Sequence, residues 1–218
     1  MKSRPAEIER ESMRIIREEL TAEDILLPDD QEAVVLRCIH ASADFDYARS
    51  LRFTPDAVPL ALEALRKGCD VVTDTNMALA GISRPALGKL GGRAVCYMAE
   101  AFIAEAAKKN GTTRATEAMR YAAEHHNGAV FAVGNAPTAL LEIAGQIEAG
   151  FRPALVIAVP VGFVNVTESK ERVFEVCERA KIPAIAAMGR KGGSSIAAAV
   201  CNALIYQAAG LLDPEKRG

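Results

Sequence analysis

Tryptophan is absent, aromatic residues make up 5% of the chain, and charge of neither sign dominates: 26 Lys and Arg against 28 Asp and Glu leave a net -2. Bulk electrostatic capture of nucleic acid or of an anionic membrane surface is thereby excluded, and any recognition by charge has to be local. Paired cysteines are missing too. The five (Cys38, Cys69, Cys96, Cys177, Cys201) are odd in number, scattered and never in a CxxC pair, which argues against a disulfide framework or a zinc site and suits a reducing cytoplasm. The opening MKSRPAEIERESMRIIREEL has no apolar h-region, so neither a signal peptide nor a membrane anchor is expected. One uncharged run, SSIAAAVCNALIYQAAGLL at 194–212, is nearly long enough for a bilayer. Its Ala, Ser, Asn and Gln content makes insertion weakly driven. A core or interface helix is expected there, covered by the sheet or by a second subunit.

What is present is a chain that is 50% hydrophobic over 218 residues, ample for a sizeable core and read as a single domain, 1–218. The first third predicts helices over about 5–20 and from about Asp30 into His40. TPDAVPLALEALRKG adds a third, with Thr54 or Asp56 to cap it and Gly68 to end it. Beyond that, short β-branched runs (CDVVTD, RAVCYM, AVFAVG, ALVIAVP, PAIAAMG) alternate with helical segments such as TRATEAMRYAAEHH, PTALLEIAGQIEA and ESKERVFEVCERA. Continuous apolar strands between helices point to an α/β class: a doubly wound, mainly parallel sheet with helices on both faces, preceded by N-terminal helices. Ligands of such sheets sit off the carboxyl ends of the strands.

Three of those strand ends carry turn-forming residues: GNAPTALLE (134–142), PVGFVNVTESKE (160–171) and GRKGGSSIAAA (189–199). Turn and cap needs of any α/β fold account for each alone. Together, with Arg190 and Lys191 in one of them, they favour a shared anionic ligand. GRKGGSS matches neither GxxxxGK[ST] nor GxGxxG, so a nucleotide site has no motif behind it. His125 and His126 close a helix and read as structural. His40 follows Arg37 by one turn and precedes Ser42, Asp44 and Asp46. Periodicity alone leaves it a satisfied core histidine.

The stretches RCIHASADFD, VTDTNMALAGI, VGNAPTALLE, PVGFVNVTESKE and GRKGGSS, in that order and spacing, resemble the precorrin-8X methylmutase family, which includes the cobalt-precorrin-8 methylmutases. The resemblance runs from about Ile8 to about Ala208. It implies a cofactor-free isomerase of cobalamin biosynthesis that moves a methyl group from C-11 to C-12 of the corrinoid, giving hydrogenobyrinic acid or cobyrinic acid. It also implies a homodimer that holds the ring in a deep cleft close to the subunit contact. By the same resemblance His40 is the proton donor and acceptor, while Ser12 and Arg37 contact substrate. ASADFDYARSLRF is more similar to the cobalt-containing branch.

The residue types suit that chemistry. A methyl shift on a conjugated ring requires no metal, nucleophile or redox partner, and a proton delivered to the ring eases it. Histidine as a residue type titrates near about 6.5 and can give and recover that proton. The ring's carboxylates also give the loops a purpose: helix starts at Asn135 to Thr138 and at Gly192 to Ser195, through Gly193 and Ser194, offer N–H groups. Arg37, Arg114 and Arg190 offer bidentate guanidinium groups. The expected partners are thus an anionic corrinoid and a second copy of the chain, with no nucleic acid, membrane or metal. Two other readings stay open: a corrinoid carrier without catalysis, and a nucleotide-binding enzyme using GRKGGSS.

Overall fold

Strands such as VFAV and LVIA are buried at every position, as a strand covered on both faces must be. The computed structural model describes residues 5–217. In chain order the elements are α1 (Pro5–Ala22), α2 (Asp29–Ser42), α3 (Tyr47–Ser50), β1 (Leu51–Phe53), α4 (Ala57–Arg66), β2 (Val71–Thr73), α5 (Asn76–Gly81) and α6 (Arg84–Lys89). There follow β3 (Ala94–Val95), α7 (Ala101–Asn110), α8 (Arg114–His125), β4 (Val130–Val133), α9 (Pro137–Glu148), β5 (Leu155–Ala158), α10 (Val166–Ala180), β6 (Ala184–Ala187) and α11 (Ser194–Ala208). A 3-10 turn, Pro214–Arg217, comes last.

The six strands form one sheet in the order β1-β6-β5-β4-β2-β3. All neighbours are parallel except β1, which runs antiparallel to β6. Alternate strand residues serve opposite faces. Val130, Ala132, Leu155 and Ile157 join one core with α2, α4, α5 and α11. Phe131, Val133, Val156 and Ala158 join a second with α7, α8, α9 and α10. The expected doubly wound class is what forms, and the chain reverses its direction of growth between β2 and β4, where such sheets open a crevice.

Three points need correction. The edge strand β1 lies in YARSLRF, where only helices were expected; three residues are too short to show a period. AFIAEAAKKN also forms a helix, α7, that sequence reading passed over. Helix α4 has no side-chain cap: the Thr54 hydroxyl instead accepts from the Ala184 N–H across the β1–β6 edge at 2.8 Å. Of the two ways of covering α11 that the sequence leaves open, the first holds: it is buried almost all round, against α2, α4, α5 and the sheet of its own chain. No second subunit is required to cover it, and among the described residues no helix is long and apolar enough to cross a membrane.

Candidate active site

Helix α2 carries the reactive candidate because its apolar positions, Val34, Val35, Leu36, Cys38 and Ile39, pack into the core. His40, in the last turn, is left exposed. Ala43 then adopts a left-handed conformation (φ 54°) and its N–H closes on Ile39 O, turning the chain so that Asp44 and Asp46 reach Lys191 at the far end of the sheet. His40 has no hydrogen-bonding partner among the described residues. It lines an open cavity of about 250 Å³ with Arg37, Ala41, Gly81, Ser195, Ala198, Ala199 and Asn202.

The walls of that cavity are fixed from behind. Asn202 on α11 accepts from the Ser83 N–H and donates to Gly81 O, both at 2.8 Å, so the turn after α5 cannot drift from α11. Gly81 lies so close that an added Cβ would stand 2.7 Å from Ala198 Cβ. Thr75 caps α5, its hydroxyl accepting from Ala78 N–H, and pairs with the Ser194 hydroxyl at 2.8 Å. A Cβ on Gly134 would meet Ser194 Cα at 2.7 Å. The loops after β2 and β4 and the start of α11 therefore form one packed edge, with Asn135 and Ser194 side by side and His40 beside Ser195.

Arg37 is half-buried and already engaged. It donates to Glu9 at 2.5 Å and lies over the Tyr206 ring, 5.0 Å from its centroid. Glu9 also receives Arg217 at 2.7 Å. Burial pushes Glu9 upward, but Arg217 and Arg37 outweigh it and hold its carboxyl below the usual range. Arg37 thus borders the cavity paired with a carboxylate that it shares with Arg217. Ser12, on α1, donates to Ile8 O at 2.8 Å, one turn beyond Glu9, and is not among the residues lining the His40 cavity. Arg114 begins α8 and is exposed, next to Thr113, whose hydroxyl pairs with Thr138 at 2.9 Å. Arg190 is exposed and sits over the Phe163 ring, 5.5 Å from its centroid.

One expectation about helix starts fails. The N–H groups of Gly134, Asn135 and Ala136 all donate to Asp74, at 2.8, 2.9 and 2.7 Å. Asp74 is wholly buried, and burial raises its pKa in spite of these donors. The turn into α9 is filled by the protein's own carboxylate, so the Asn135 N–H is not offered to a ligand. At α11 the situation is the reverse. Gly193 donates to Val159 O at 2.8 Å, yet no side chain caps the N–H groups that follow. Lys191 is held by Asp44 and Asp46, which leaves Arg190 as the loop's available cation. Lysine pairing, chiefly, also keeps Asp44 ionised to lower pH than usual, so it is unsuited to deliver a proton near neutrality.

Sequence reading missed Asp74, Asn202 and Lys170. Asp74 and Lys170 stood inside quoted stretches, VTDTN and TESKE, but nothing local marks a charge as buried. Burial pushes the Cys38, Cys177 and Cys201 thiols up to about 12. His126 is buried between the Tyr97 hydroxyl and the Asp70 carboxylate, at 2.5 and 3.0 Å, the structural role expected of it.

Comparison with known proteins identifies the family. Residues 7–207 match the model of the precorrin-8X methylmutase family. A cobalt-precorrin-8 methylmutase of Priestia megaterium is 42% identical over 92% of this chain and 87% of its own. A precorrin-8X methylmutase of Pseudomonas aeruginosa is 37% identical over 90% and 93%. The crystal structure of a precorrin-8x methyl mutase from Thermus thermophilus superposes with a TM-score of 0.83 at 40% identity, covering 93% of this chain and 98% of that one. With a family match across nearly its whole length and relatives this similar, the chain belongs to the precorrin-8X methylmutase family.

Proposed function

We propose that this chain, as a single methylmutase domain in the cytoplasm, moves a methyl group from C-11 to C-12 of a corrinoid acid, with His40 exchanging the proton that eases the shift. The class is that of its family: an isomerase of cobalamin biosynthesis, acting by intramolecular methyl transfer on a precorrin tetrapyrrole. The observation that carries the assignment of His40 is its setting. It is exposed and unpartnered, at the rim of a cavity shared with Arg37 and the uncapped start of α11.

The steps for this chain's residues follow from that geometry. The α11 N–H groups and Arg190 take ring carboxylates, whose charge favours a helix start and a guanidinium. Held there, one edge of the macrocycle lies against His40. The protonated His40 side chain donates a proton to the conjugated ring, the methyl group migrates within the molecule, and the neutral imidazole then recovers the proton; such catalysis contributes about 10²–10⁴-fold. Fixing a large flat substrate in one conformation contributes the rest. Arg37, tied to Glu9, shapes the rim, and Ser12 acts through α1. Arg114 and Thr138 form the outer flank.

Cobalt-precorrin-8 is the favoured substrate, since relatives of that name reach 43% identity against 40% and 37% for two named for precorrin-8X. A cavity of about 250 Å³ is below the range of about 300–1,000 Å³ usual for ligand pockets, so it takes only part of the ring. Phe163 and Val164, exposed at 82% and 76% beside Arg190, offer apolar surface for the remainder or for a second copy. A homodimer is accordingly part of the proposal, and sedimentation at micromolar protein tests it: a dimer is expected, and a monomer removes that part. For the reaction itself, adding enzyme to cobalt-precorrin-8 should convert the absorption spectrum to that of cobyrinic acid. A spectrum that stays that of bound substrate would replace the mutase with a carrier.

A further inference from the structure

We propose that Lys170 is a positioning residue for the substrate's carboxylates, tying down the β6–α11 loop and placing an uncompensated positive charge behind it. The inference rests on the reading that this loop meets the corrinoid acid.

Lys170 is 0% exposed, which is rare for a lysine without a carboxylate partner. Its ammonium donates to Gly189 O and to Lys191 O, each at 2.8 Å. Both carbonyls flank Arg190, the loop's available cation, and the loop runs directly into Gly192, Gly193 and the start of α11. Charged groups around it are otherwise engaged: the Lys191 side chain points to Asp44 and Asp46, and Arg190 lies over Phe163. Among the described residues no carboxylate lies within ion-pairing distance of Lys170, and burial is the one cause acting on its pKa, pulling it down to about 8.

A buried charge held only by carbonyl dipoles is costly, and proteins keep one where it has work to do. Here the two carbonyls fix where the backbone turns, so the α11 N–H groups face outward in one orientation. The charge is not cancelled internally, so an arriving carboxylate meets Lys170, Arg190 and the helix start acting with one sign. Deprotonation leaves an amine with two N–H donors for the two carbonyls, so clamp and charge are separable functions of one side chain.

The test titrates cobyrinic acid and its fully amidated derivative into the wild type and into Lys170→Met, Lys170→Gln and Lys170→Arg, with a melting curve for each. The wild type should prefer the acid. The two neutral variants should lose at least about tenfold in acid affinity, the scale of one partly screened charge at close range, while binding the amide nearly as before. Lys170→Arg should restore most of the acid preference. Neutral variants that keep the wild-type preference, or that lose acid and amide equally, overturn the proposal. Failure of both neutral variants to fold also overturns it, in favour of a purely structural lysine. A wild type that binds acid and amide alike would instead show that the loop does not meet carboxylates, and the Lys170 role falls with that reading.

Discussion

Two helices start at the same edge of the sheet from loops that look alike in sequence, GNAPTALLE for α9 and GRKGGSSIAAA for α11, and they do opposite things. At α9, Asp74 from the end of β2, some 60 residues earlier, takes three N–H groups. At α11 nothing caps the helix, and the charge behind the loop is a lysine. A glycine-rich turn before a helix announces an anion site in both cases. Whether that anion is the protein's own is decided by a residue distant in sequence, so one helix start serves folding and the other is left for a ligand.

The contrast breaks most visibly at Asp74. Asp74→Ala leaves the buried Gly134 N–H and the part-buried N–H groups of Asn135 and Ala136 without their acceptor, which should cost about 1–3 kcal/mol and lower the melting temperature accordingly. Thermal and denaturant unfolding measure this. A variant that melts like the wild type would mean that the α9 start does not depend on its internal anion.

At α11 the corresponding change should act on binding before stability. Gly192 has φ +154° and an added Cβ would lie 2.1 Å from Val159 O, so Gly192→Ala must displace the loop. Affinity for cobyrinic acid should fall about tenfold, with a stability loss of about 1–3 kcal/mol. Equal losses at Gly192 and Asp74 in stability, with binding intact, would erase the distinction between the two helix starts.

A finer test compares neighbours. Arg190→Ala should weaken acid binding about fivefold, the worth of one charge-assisted contact at an exposed site. Lys191→Met should change it much less, because Asp44 and Asp46 already neutralise that ammonium. The reverse order, read by calorimetric titration at one ionic strength, would mean that the loop's working cation has been misassigned.

What the sequence made legible follows the same division between near and far. Strands β2 to β6 and helices α8 to α11 were readable because each has its own local period and its own turn residues. The parallel class followed from strands apolar at every position. β1 was not readable, since Leu51–Phe53 is a strand only because β6 lies beside it. His40 and the loops were visible as residue types, and resemblance to a family gave them roles. Their pairings were not visible: Arg37 with Glu9, Lys191 with Asp44, Asp74 with the α9 start and Lys170 with two carbonyls all join segments apart in sequence. What covers α11 was left open between the sheet and a second subunit for a related reason. An apolar helix shows that a partner exists, and α2, α4 and α5 of the same chain turned out to be that partner.

The central claim is that His40 is the proton carrier and Asp44, locked to Lys191, is not. His40→Asn retains a polar side chain but cannot titrate near neutrality, so single-turnover conversion of cobalt-precorrin-8 by this variant, read from the corrinoid spectrum, is the direct measurement. The expected result is a rate lowered by about 10²–10⁴-fold, with melting temperature and product affinity like those of the wild type. A folded His40→Asn protein that turns over at nearly the wild-type rate would contradict it.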